Sequence, residues 1–409
     1  MTQSTFKIYG YRWLILIAFM LITAFNQLLW ITFAPITSDA ASFYGVSDLS
    51  IGLLSMIFMI AYIFVSIPAS WVIDTYGFRM GVGIGTVLTG IFGLVRGLGA
   101  SSFALVLIAQ VGIAIGQPFI LNAVTKIAAR WFPLQERATA AGFGSLAIYL
   151  GILAGMVLTP FLSLRAGIAS MLLVYGLGAL IAGILFLIVA REYPPTPPGP
   201  PEQEERLLML DGLKKVVRKV DFLLLMLIFF FGLGIFNSVT TWIEDIVRPR
   251  GFSITQAGTA GGLMIIGGVI GALILPTLSD RYRRRVPFIL LALAGAIPGL
   301  AGVTFATSAG LLMVSAFLLG FFLLSSGPIG FQYGAEIARP TPEGTSTGLL
   351  LLMGQISGIA FIFGMDSFKV AGTGSMTPSL IVLLGLLLVS LLVATRLHES
   401  GLLAGEGHG

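Results

Sequence analysis

The sequence predicts an all-α membrane protein with twelve transmembrane helices, arranged as two pseudo-symmetric bundles of six. Three observations lead to this fold class. The 409 residues are 56% hydrophobic and only 10% charged, whereas a soluble domain carries about 25% charged residues. Apolar stretches of about 20 residues, long enough to cross a bilayer as a helix, recur along the chain. Charged motifs at the ends of such stretches are repeated half a chain length apart, as expected if one six-helix unit has been duplicated.

The apolar stretches define the helices and the domain boundaries. The first six are predicted at 12–36, 50–73, 79–98, 103–130, 138–163 and 168–190, and the second six at 220–246, 254–278, 286–306, 310–338, 344–366 and 376–396. We therefore predict an N-terminal bundle over 1–190, a C-terminal bundle over 220–396 and a cytoplasmic tail over 397–409. The segment 191–219 opens with a proline-rich run and continues with charged residues, which predicts a stiff linker leading to a surface amphipathic helix.

The repeated motifs place acidic and basic residues at the ends of corresponding helices. Asp74 and Asp280, 206 positions apart, each end an apolar stretch and are followed by basic residues that include Arg79 and Arg281. A second motif repeats at a similar offset, as Arg130, Pro133 and Glu136 in the first half and Arg339, Pro340 and Glu343 in the second. An internal repeat carried by hydrophobic helices is typical of transporters. The acid-plus-base loop after the second helix of each half resembles the signature loop of the major facilitator superfamily.

The resemblance to that superfamily implies a major facilitator fold and transport by alternating access. In the superfamily, such loop charges lock the cytoplasmic gate while the cavity faces outward. The residues implied in gating here are Asp74, Arg79, Arg130, Glu136, Asp280, Arg281 and Glu343. Exposed ion pairs contribute only about 0–1 kcal/mol, so these charges hold a gate only if closure buries them.

The distribution of Lys and Arg predicts the orientation. With the N-terminus inside, all but five of the 23 basic residues fall in cytoplasmic segments, and the positive-inside rule then places both termini in the cytoplasm. The net charge of +5 therefore reflects topology and does not indicate nucleic-acid binding. The first apolar run is too long for a signal-peptide core. We expect a monomeric, multi-pass plasma or inner membrane protein whose partners are the lipid bilayer and a small-molecule substrate.

Several chemistries are disfavoured by the residue inventory. The chain has no cysteine, so disulfides, thiolate metal sites and thiol catalysis are excluded. The two histidines, His398 and His408, follow the last apolar stretch, which leaves the helices without the usual axial ligands of haem. No Ser-His-acid set, metal cluster or pair of intramembrane carboxylates can be assembled. We expect neither an enzyme nor a bound cofactor or metal.

Polar side chains at membrane depth are costly, so each is a candidate for the substrate site. The central positions hold amides and aromatic residues: Asn26, Gln27, Trp30, Gln117, Asn122, Asn237, Gln332, Tyr333 and Gln355. A glutamine in a membrane helix can equally serve an interhelical hydrogen bond, worth about 0.6 kcal/mol. For Trp30 the corresponding structural role is a place in the interfacial aromatic belt. The residues alone leave both interpretations open.

Longer motifs in both halves are more specific. The runs Trp30-Ile31, Phe43-Tyr44-Gly45-Val46-Ser47 and Ile67-Pro68-Ala69-Ser70-Trp71 in the first half resemble the feline leukaemia virus subgroup C receptor family. So do Phe331-Gln332-Tyr333-Gly334-Ala335-Glu336 and the run Pro342 to Leu350 in the second half. Animal members of this family transport choline and ethanolamine, and some have been described as haem exporters.

The family resemblance assigns roles to seven residues. It implies that Trp30 meets a quaternary ammonium and that Gln117 and Gln355 contact the small alcohol or its surroundings. Asn26 matches a family asparagine one turn before the tryptophan, and Met59 and Ile63 match apolar wall positions. Choline-carrying members have a tyrosine on helix 7 where this chain has Asn237, so one aromatic wall of the cage is missing. An ammonium over an indole face gains about 2 kcal/mol when desolvated, so such a site needs no buried carboxylate.

The mode of energy coupling is predicted from the acidic residues. Proton-driven transporters keep an ionisable group within the membrane, and the candidates here are Glu244, Asp245, Glu336 and Asp366. All four fall near predicted helix ends, where a solvated or gating charge is expected. Facilitated uniport of an amine or quaternary ammonium is therefore the leading hypothesis. The alternatives are proton-coupled transport of another small organic solute, including an anion bound by Arg96 or Lys126, and, with less support, haem export or a transport-inactive receptor.

Overall fold

Helices make up all the regular secondary structure of the described residues. The computed structural model describes residues 7–198, 216–339 and 343–399, with the side chains of 134, 135, 138 and 343–345 outside that description. The chain divides into two compact units, Met1–Glu204 and Glu205–Gly409. The division falls inside the segment predicted as a linker, whose amphipathic helix lies largely outside the described residues.

The N-terminal unit contains seven helices, of which the last is a merged pair. They are α1 Tyr11–Ile31, α2 Thr37–Tyr44, α3 Asp48–Tyr76, α4 Phe78–Leu98, α5 Phe103–Leu121, α6 Val124–Trp131 and α7 Leu134–Val189. At 1.5 Å per residue, the 56 residues of α7 would extend about 80 Å, far more than one bilayer. Gly167 breaks α7 with a non-helical backbone (φ 78°, ψ 163°). The break lies at the loop predicted between 163 and 168.

The C-terminal unit repeats this order of long helices. Its helices are α8 Val220–Thr241, α9 Ile243–Val247, α10 Ile254–Tyr282, α11 Val286–Phe305, α12 Ala309–Ala338, α13 Glu343–Ser367 and α14 Thr377–Ala394. Eleven helical runs in the described residues are long and apolar enough to cross a membrane. Because the run Thr139–Val189 contains the break at Gly167, they correspond to twelve membrane-length helices. The predicted fold class, all-α with two six-helix bundles, is confirmed.

The internal repeat is also seen in the serine residues that cap the starts of helices in both units. Ser47 begins α3 by accepting a hydrogen bond from the Ser50 amide, and Ser253 begins α10 in the same way, within a capping box. Ser102 and Ser308 cap α5 and α12. Each pair is 206 positions apart, the offset of Asp74 and Asp280. A serine side chain stabilises a helix start by satisfying a free backbone N–H, so both halves begin equivalent helices by the same means.

Three stretches predicted as continuous helices are interrupted. The stretch 12–36 breaks after Ile31, where a 3₁₀ turn at Ala34–Ile36 contains Pro35. The stretch 103–130 breaks between α5 and α6, four residues after Pro118. Pro35 lacks the N–H that would bond the Ile31 carbonyl and continue the helical ladder, which accounts for the first break. Helix α5 continues through Pro118 to Leu121, so the missing N–H of Pro118 does not account for the second. The third break, at Trp242 between α8 and α9, involves no proline.

Glycines bring helix backbones together inside each unit. A methyl group added at Gly151 would collide with the Ala24 carbonyl of α1, and one at Gly271 would collide with the Phe321 carbonyl of α12. Small residues at a spacing of four permit this close approach in lipid. These glycines therefore serve helix packing within a half.

Candidate functional site

Trp30 lies in the last turn of α1, and its side chain is only 7% exposed. The indole Nε1 donates a hydrogen bond to the Ser55 carbonyl of α3 at 3.2 Å. A residue of the aromatic belt would stand at the lipid–water boundary, and the buried indole of Trp30 does not. The polar edge of the ring is committed to α3, so the π faces are the part of the side chain that a ligand could use.

Helix α1 ends at Ile31, one residue after Trp30. The last carbonyl groups of a helix lack intrahelical donors, and Pro35 has no N–H to offer Ile31. Side chains supply donors instead. The Thr32 hydroxyl donates to the Leu28 carbonyl at 2.8 Å, and the Leu29 carbonyl accepts from other helices.

Arg96 of α4 is the principal donor to that carbonyl. Its guanidinium is fully buried and donates to the Leu29 carbonyl at 2.9 Å, to Gln110 Oε1 at 2.9 Å and to Thr32 Oγ1 at 3.3 Å. Within the described residues it has no carboxylate partner. The negative end of the α1 helix dipole stabilises a cation in this position. Sequence analysis considered Arg96 only as an anion-binding residue and did not single out Gln110.

The N-terminal amides differ in their availability to a ligand. Asn26 is fully buried and donates to Thr89 Oγ1 at 3.1 Å, while its Oδ1 accepts from Gln27. This is an interhelical hydrogen bond. Gln117 of α5 is 7% exposed and has no hydrogen-bond partner among the described residues. Gln117 therefore keeps its donors and acceptor for a ligand.

The apolar wall positions lie on α3, close to the residue that anchors Trp30. Met59 follows Ser55 by four residues, so the two lie on one face of the helix. Met59 is buried, and Ile63, one turn further, is partly exposed. The structure thus brings Trp30 to the face of α3 that carries the two predicted wall residues.

Asn237 and Gln355 come to neighbouring positions in the C-terminal unit. The Asn237 amide of α8 donates to the Gly354 carbonyl of α13 at 3.2 Å, directly before Gln355. Both side chains are partly exposed, and Gln355 has no hydrogen-bond partner in the described part of the chain. Each unit therefore presents one uncommitted glutamine: Gln117 in the first and Gln355 in the second.

The charged loop of the N-terminal unit forms two ion pairs. Asp74 pairs with Lys126 of α6 at 3.1 Å, and Glu136 pairs with Arg12 of α1 at 3.0 Å through two guanidinium nitrogens. Arg79 has an exposed side chain. A separate contact places the Arg130 guanidinium 4.5 Å from the ring centre of Tyr193.

Arg285 is the centre of the corresponding cluster in the C-terminal unit. It donates to Asp280 and to Glu336, the latter at 3.0 Å. Burial lowers the pKa of the Arg285 guanidinium, but the hydrogen bonds to Asp280 and Glu336 outweigh burial and leave the pKa raised. Arg281 is exposed, and Glu343 belongs to the residues whose side chains lie outside the description. The basic partner of Asp280 is thus Arg285, which sequence analysis did not single out.

Two glutamates missed by sequence analysis perform the same task in the two units. Glu192, after α7, accepts hydrogen bonds from the backbone amides of Phe78 and Arg79, at 3.3 and 2.8 Å. Glu399, after α14, accepts from the amides of Arg285 and Val286, both at 3.0 Å. Each carboxylate thereby caps the start of the third long helix of its unit. The sequence could have indicated this pair, because the two glutamates are 207 positions apart, close to the repeat offset.

Of the four acidic residues considered for proton coupling, Glu244 and Asp245 are buried, whereas Glu336 and Asp366 are partly exposed. Glu244 and Asp245 are at most 2% exposed. Asp245 pairs with Arg248 at 2.8 Å and with Lys369 at 3.0 Å, and Glu244 lies 3.6 Å from Arg248. Glu336 pairs with Arg285 at 3.0 Å. Within the described residues, no group of three or more His, Cys, Asp or Glu side chains could hold a metal ion.

Comparison with a family model and with known proteins relates this chain to membrane transporters. Residues 15–362 match the model of the Major Facilitator Superfamily. The chain is 32% identical over 379 residues to solute carrier family 49 member A3 of Xenopus tropicalis, covering 88% of this chain and 78% of that protein. It is 28% identical over 380 residues to the choline/ethanolamine transporter FLVCR2 of Rattus norvegicus, covering 88% and 69%.

A solved structure has the same fold. The crystal structure of a bacterial homologue of the human lysosomal transporter Spinster, in an inward-facing and unoccupied conformation, superposes with a TM-score of 0.76. The alignment covers 96% of this chain and 98% of that chain at 18% identity. At this identity, the likeness supports the fold.

Proposed function

Because the chain belongs to the major facilitator superfamily, and to solute carrier family 49 within it, we propose that it carries a small organic ammonium by facilitated uniport. It is a multi-pass membrane transporter of a small solute, and ethanolamine or choline is the substrate type that its residues suit. The observation that carries the proposal is the buried Trp30, whose N–H is bonded to α3; in the proposal, a ring face meets the cation.

The chemistry of the candidate residues suits a cation. An indole face binds a desolvated ammonium with about 2 kcal/mol. Gln117, free of hydrogen-bond partners among the described residues, can donate to or accept from the hydroxyl of a small amino alcohol. A neutral site of this kind also releases its ligand more readily than a buried carboxylate would, and transport requires release.

Asn237 favours a primary ammonium over a quaternary one. Its Nδ2 donates to the Gly354 carbonyl, which leaves Oδ1 as an acceptor. A primary ammonium can donate a hydrogen bond to this oxygen, whereas a trimethylammonium group has no N–H to donate. We therefore expect ethanolamine to bind more tightly than choline.

Uniport is favoured by the state of the buried acids. Glu244, Asp245 and Glu336 each form an ion pair with a basic residue, and that pair would have to break before the carboxylate could act as a carrier. A proton carrier must instead take up and release its proton in each cycle. The same pairing leaves these residues suited to gating.

The test is uptake of labelled ethanolamine, choline and a panel of organic acids into proteoliposomes. We expect saturable uptake of the amines, abolished in Trp30→Ala and partly kept in Trp30→Phe, because phenylalanine retains a smaller π face. Trp71→Ala is the matched control, since Trp71 is 58% exposed on α3. Uptake of acids alone, or equal amine binding by the wild type and Trp30→Ala, would refute the proposal.

A further inference from the structure

The end of α1 is held by a fixed set of donors from other helices. The Leu29 carbonyl accepts from Arg96 Nη1 at 2.9 Å and from Gln110 Nε2 at 3.3 Å. Gln110 Oε1 in turn accepts from Arg96 at 2.9 Å. The three groups form a closed triangle of hydrogen bonds at the point where the helix breaks.

Gln110 also fixes the register between α1 and α3. Its Nε2 donates to the Leu54 carbonyl of α3 at 3.1 Å in addition to the Leu29 carbonyl. The next residues along both helices, Trp30 and Ser55, are joined by the indole hydrogen bond at 3.2 Å. Two successive positions of α1 are therefore tied to two successive positions of α3, and the second tie sets the orientation of the indole.

Arginine suits this position better than any other basic residue. The planar guanidinium donates along several fixed directions at once, and here it reaches Leu29, Gln110 and Thr32. A lysine ammonium on a flexible stem would keep the charge but would not hold the same three acceptors in one plane. The Phe33 ring lies 5.7 Å from the guanidinium carbon and adds a cation–π contact on the other side of the break.

From this geometry we infer that Arg96, acting with Gln110, is a positioning residue for Trp30. It holds the broken end of α1 so that the indole presents its face to the substrate ammonium. The inference rests on the proposed function, in which Trp30 binds that ammonium. Arg96 does not itself touch the substrate; it sets the affinity for the amine through the orientation of the ring.

The orientation of Trp30 can be measured directly. Full-length protein labelled with 5-fluorotryptophan carries five fluorine labels, one per tryptophan, and the resonance lost in Trp30→Phe identifies Trp30. In Arg96→Lys we expect this resonance to shift or broaden while the other four stay in place. The dissociation constant for ethanolamine should rise about tenfold, as expected for the loss of one charge-assisted hydrogen bond. Arg165→Lys is the control, because Arg165 is exposed on α7, and it should change neither quantity.

The substitution Gln110→Glu distinguishes a positioning role of Arg96 from a direct effect of its charge on the substrate. The glutamate would neutralise Arg96 but could no longer donate to the Leu29 and Leu54 carbonyls. Positioning predicts weaker ethanolamine binding and a displaced Trp30 resonance. If Arg96 acted by repelling the ammonium, binding would strengthen instead. Gln110→Met, which removes the same donors without adding charge, should behave like Gln110→Glu and serves if Arg96→Lys does not fold.

The outcomes separate this inference from the proposed function. An unchanged Trp30 resonance and unchanged affinity in Arg96→Lys and Gln110→Met would overturn the positioning role. Equal ethanolamine affinity in the wild type and Trp30→Ala would overturn the substrate role of Trp30. In that case, a displaced fluorine resonance would still support the structural link between Arg96 and the indole.

Discussion

At Trp30, a single hydrogen bond determines which part of the side chain a ligand can reach. The N–H edge is used by the Ser55 carbonyl, so in the proposed site it is a negative ring face that meets the cation. Arg96 and Gln110 reach this residue through the backbone one position earlier. If Trp30 binds the substrate as proposed, we expect its affinity to depend on these two side chains, which do not touch the ligand.

At Asn237, the missing aromatic wall gives a prediction about selectivity. Asn237→Tyr supplies a ring that an ammonium can face, so choline affinity should rise about fivefold, corresponding to about 1 kcal/mol for a cation–π contact. Ethanolamine should gain less, because it loses the Oδ1 acceptor. Titration of both amines into the purified protein measures the change.

Asn237→Leu is the control for this substitution. It removes the amide without adding a ring, and it should weaken ethanolamine binding while leaving choline unaffected. Choline binding that stays the same in Asn237→Tyr would show that Asn237 does not face the ammonium.

Individual residues also show where prediction from sequence ends. Gln117 and Asn26 are both amides at membrane depth, and nothing local to either distinguishes them. The difference comes from α4, which offers Thr89 to Asn26, whereas no described residue offers a partner to Gln117. The contribution of Gln110 could not be foreseen either, since one of its acceptors, the Leu29 carbonyl, is available because α1 ends at Ile31.

At the scale of elements, the termini of the helices carry most of the specific interactions. The serine caps and the glutamate caps each trace to a residue type at a fixed place in the repeat. Pro35 could have indicated the break in the first predicted helix, because proline cannot donate to the helical ladder. The break at Trp242 has no such signal in the sequence.

The glutamate caps lead to a prediction about stability. Glu192 and Glu399 each satisfy two backbone amides at the start of a membrane helix. Glu192→Ala and Glu399→Ala should each lower the free energy of unfolding by about 0.5–2 kcal/mol, the usual cost of losing an N-cap. The thermal unfolding of the protein in detergent measures this loss.

Glutamine variants at the same positions test the contribution of charge. Glu192→Gln and Glu399→Gln keep an acceptor oxygen but lose the negative charge that the helix dipole favours at this end, so their melting temperatures should be intermediate. Alanine variants that unfold at the wild-type temperature would contradict the capping role.

At the scale of the whole molecule, corresponding features of the two halves are separated by nearly the same number of residues. The acidic loops, the serine caps and, at 207 positions, the glutamate caps all recur at nearly the same separation. The length of the apolar stretches and this repeat together predicted twelve helices, because both can be recognised in the sequence without knowing how the helices pack. The repeat indicated which loops are charged but not which residues pair there: Asp280 pairs with Arg285 and Asp74 pairs with Lys126. These pairs depend on how helix ends pack and not on sequence spacing.

The central claim is that this chain carries an organic cation down its electrochemical gradient. The most direct test is uptake of choline, whose charge does not depend on pH, into proteoliposomes under an imposed potential. A monovalent cation gains about 2.3 kcal/mol per 100 mV, so an inside-negative potential of that size should support roughly fifty-fold accumulation. A pH gradient alone should give none above protein-free liposomes. Accumulation driven by the pH gradient, and lost in Glu244→Gln or Glu336→Gln, would contradict the account.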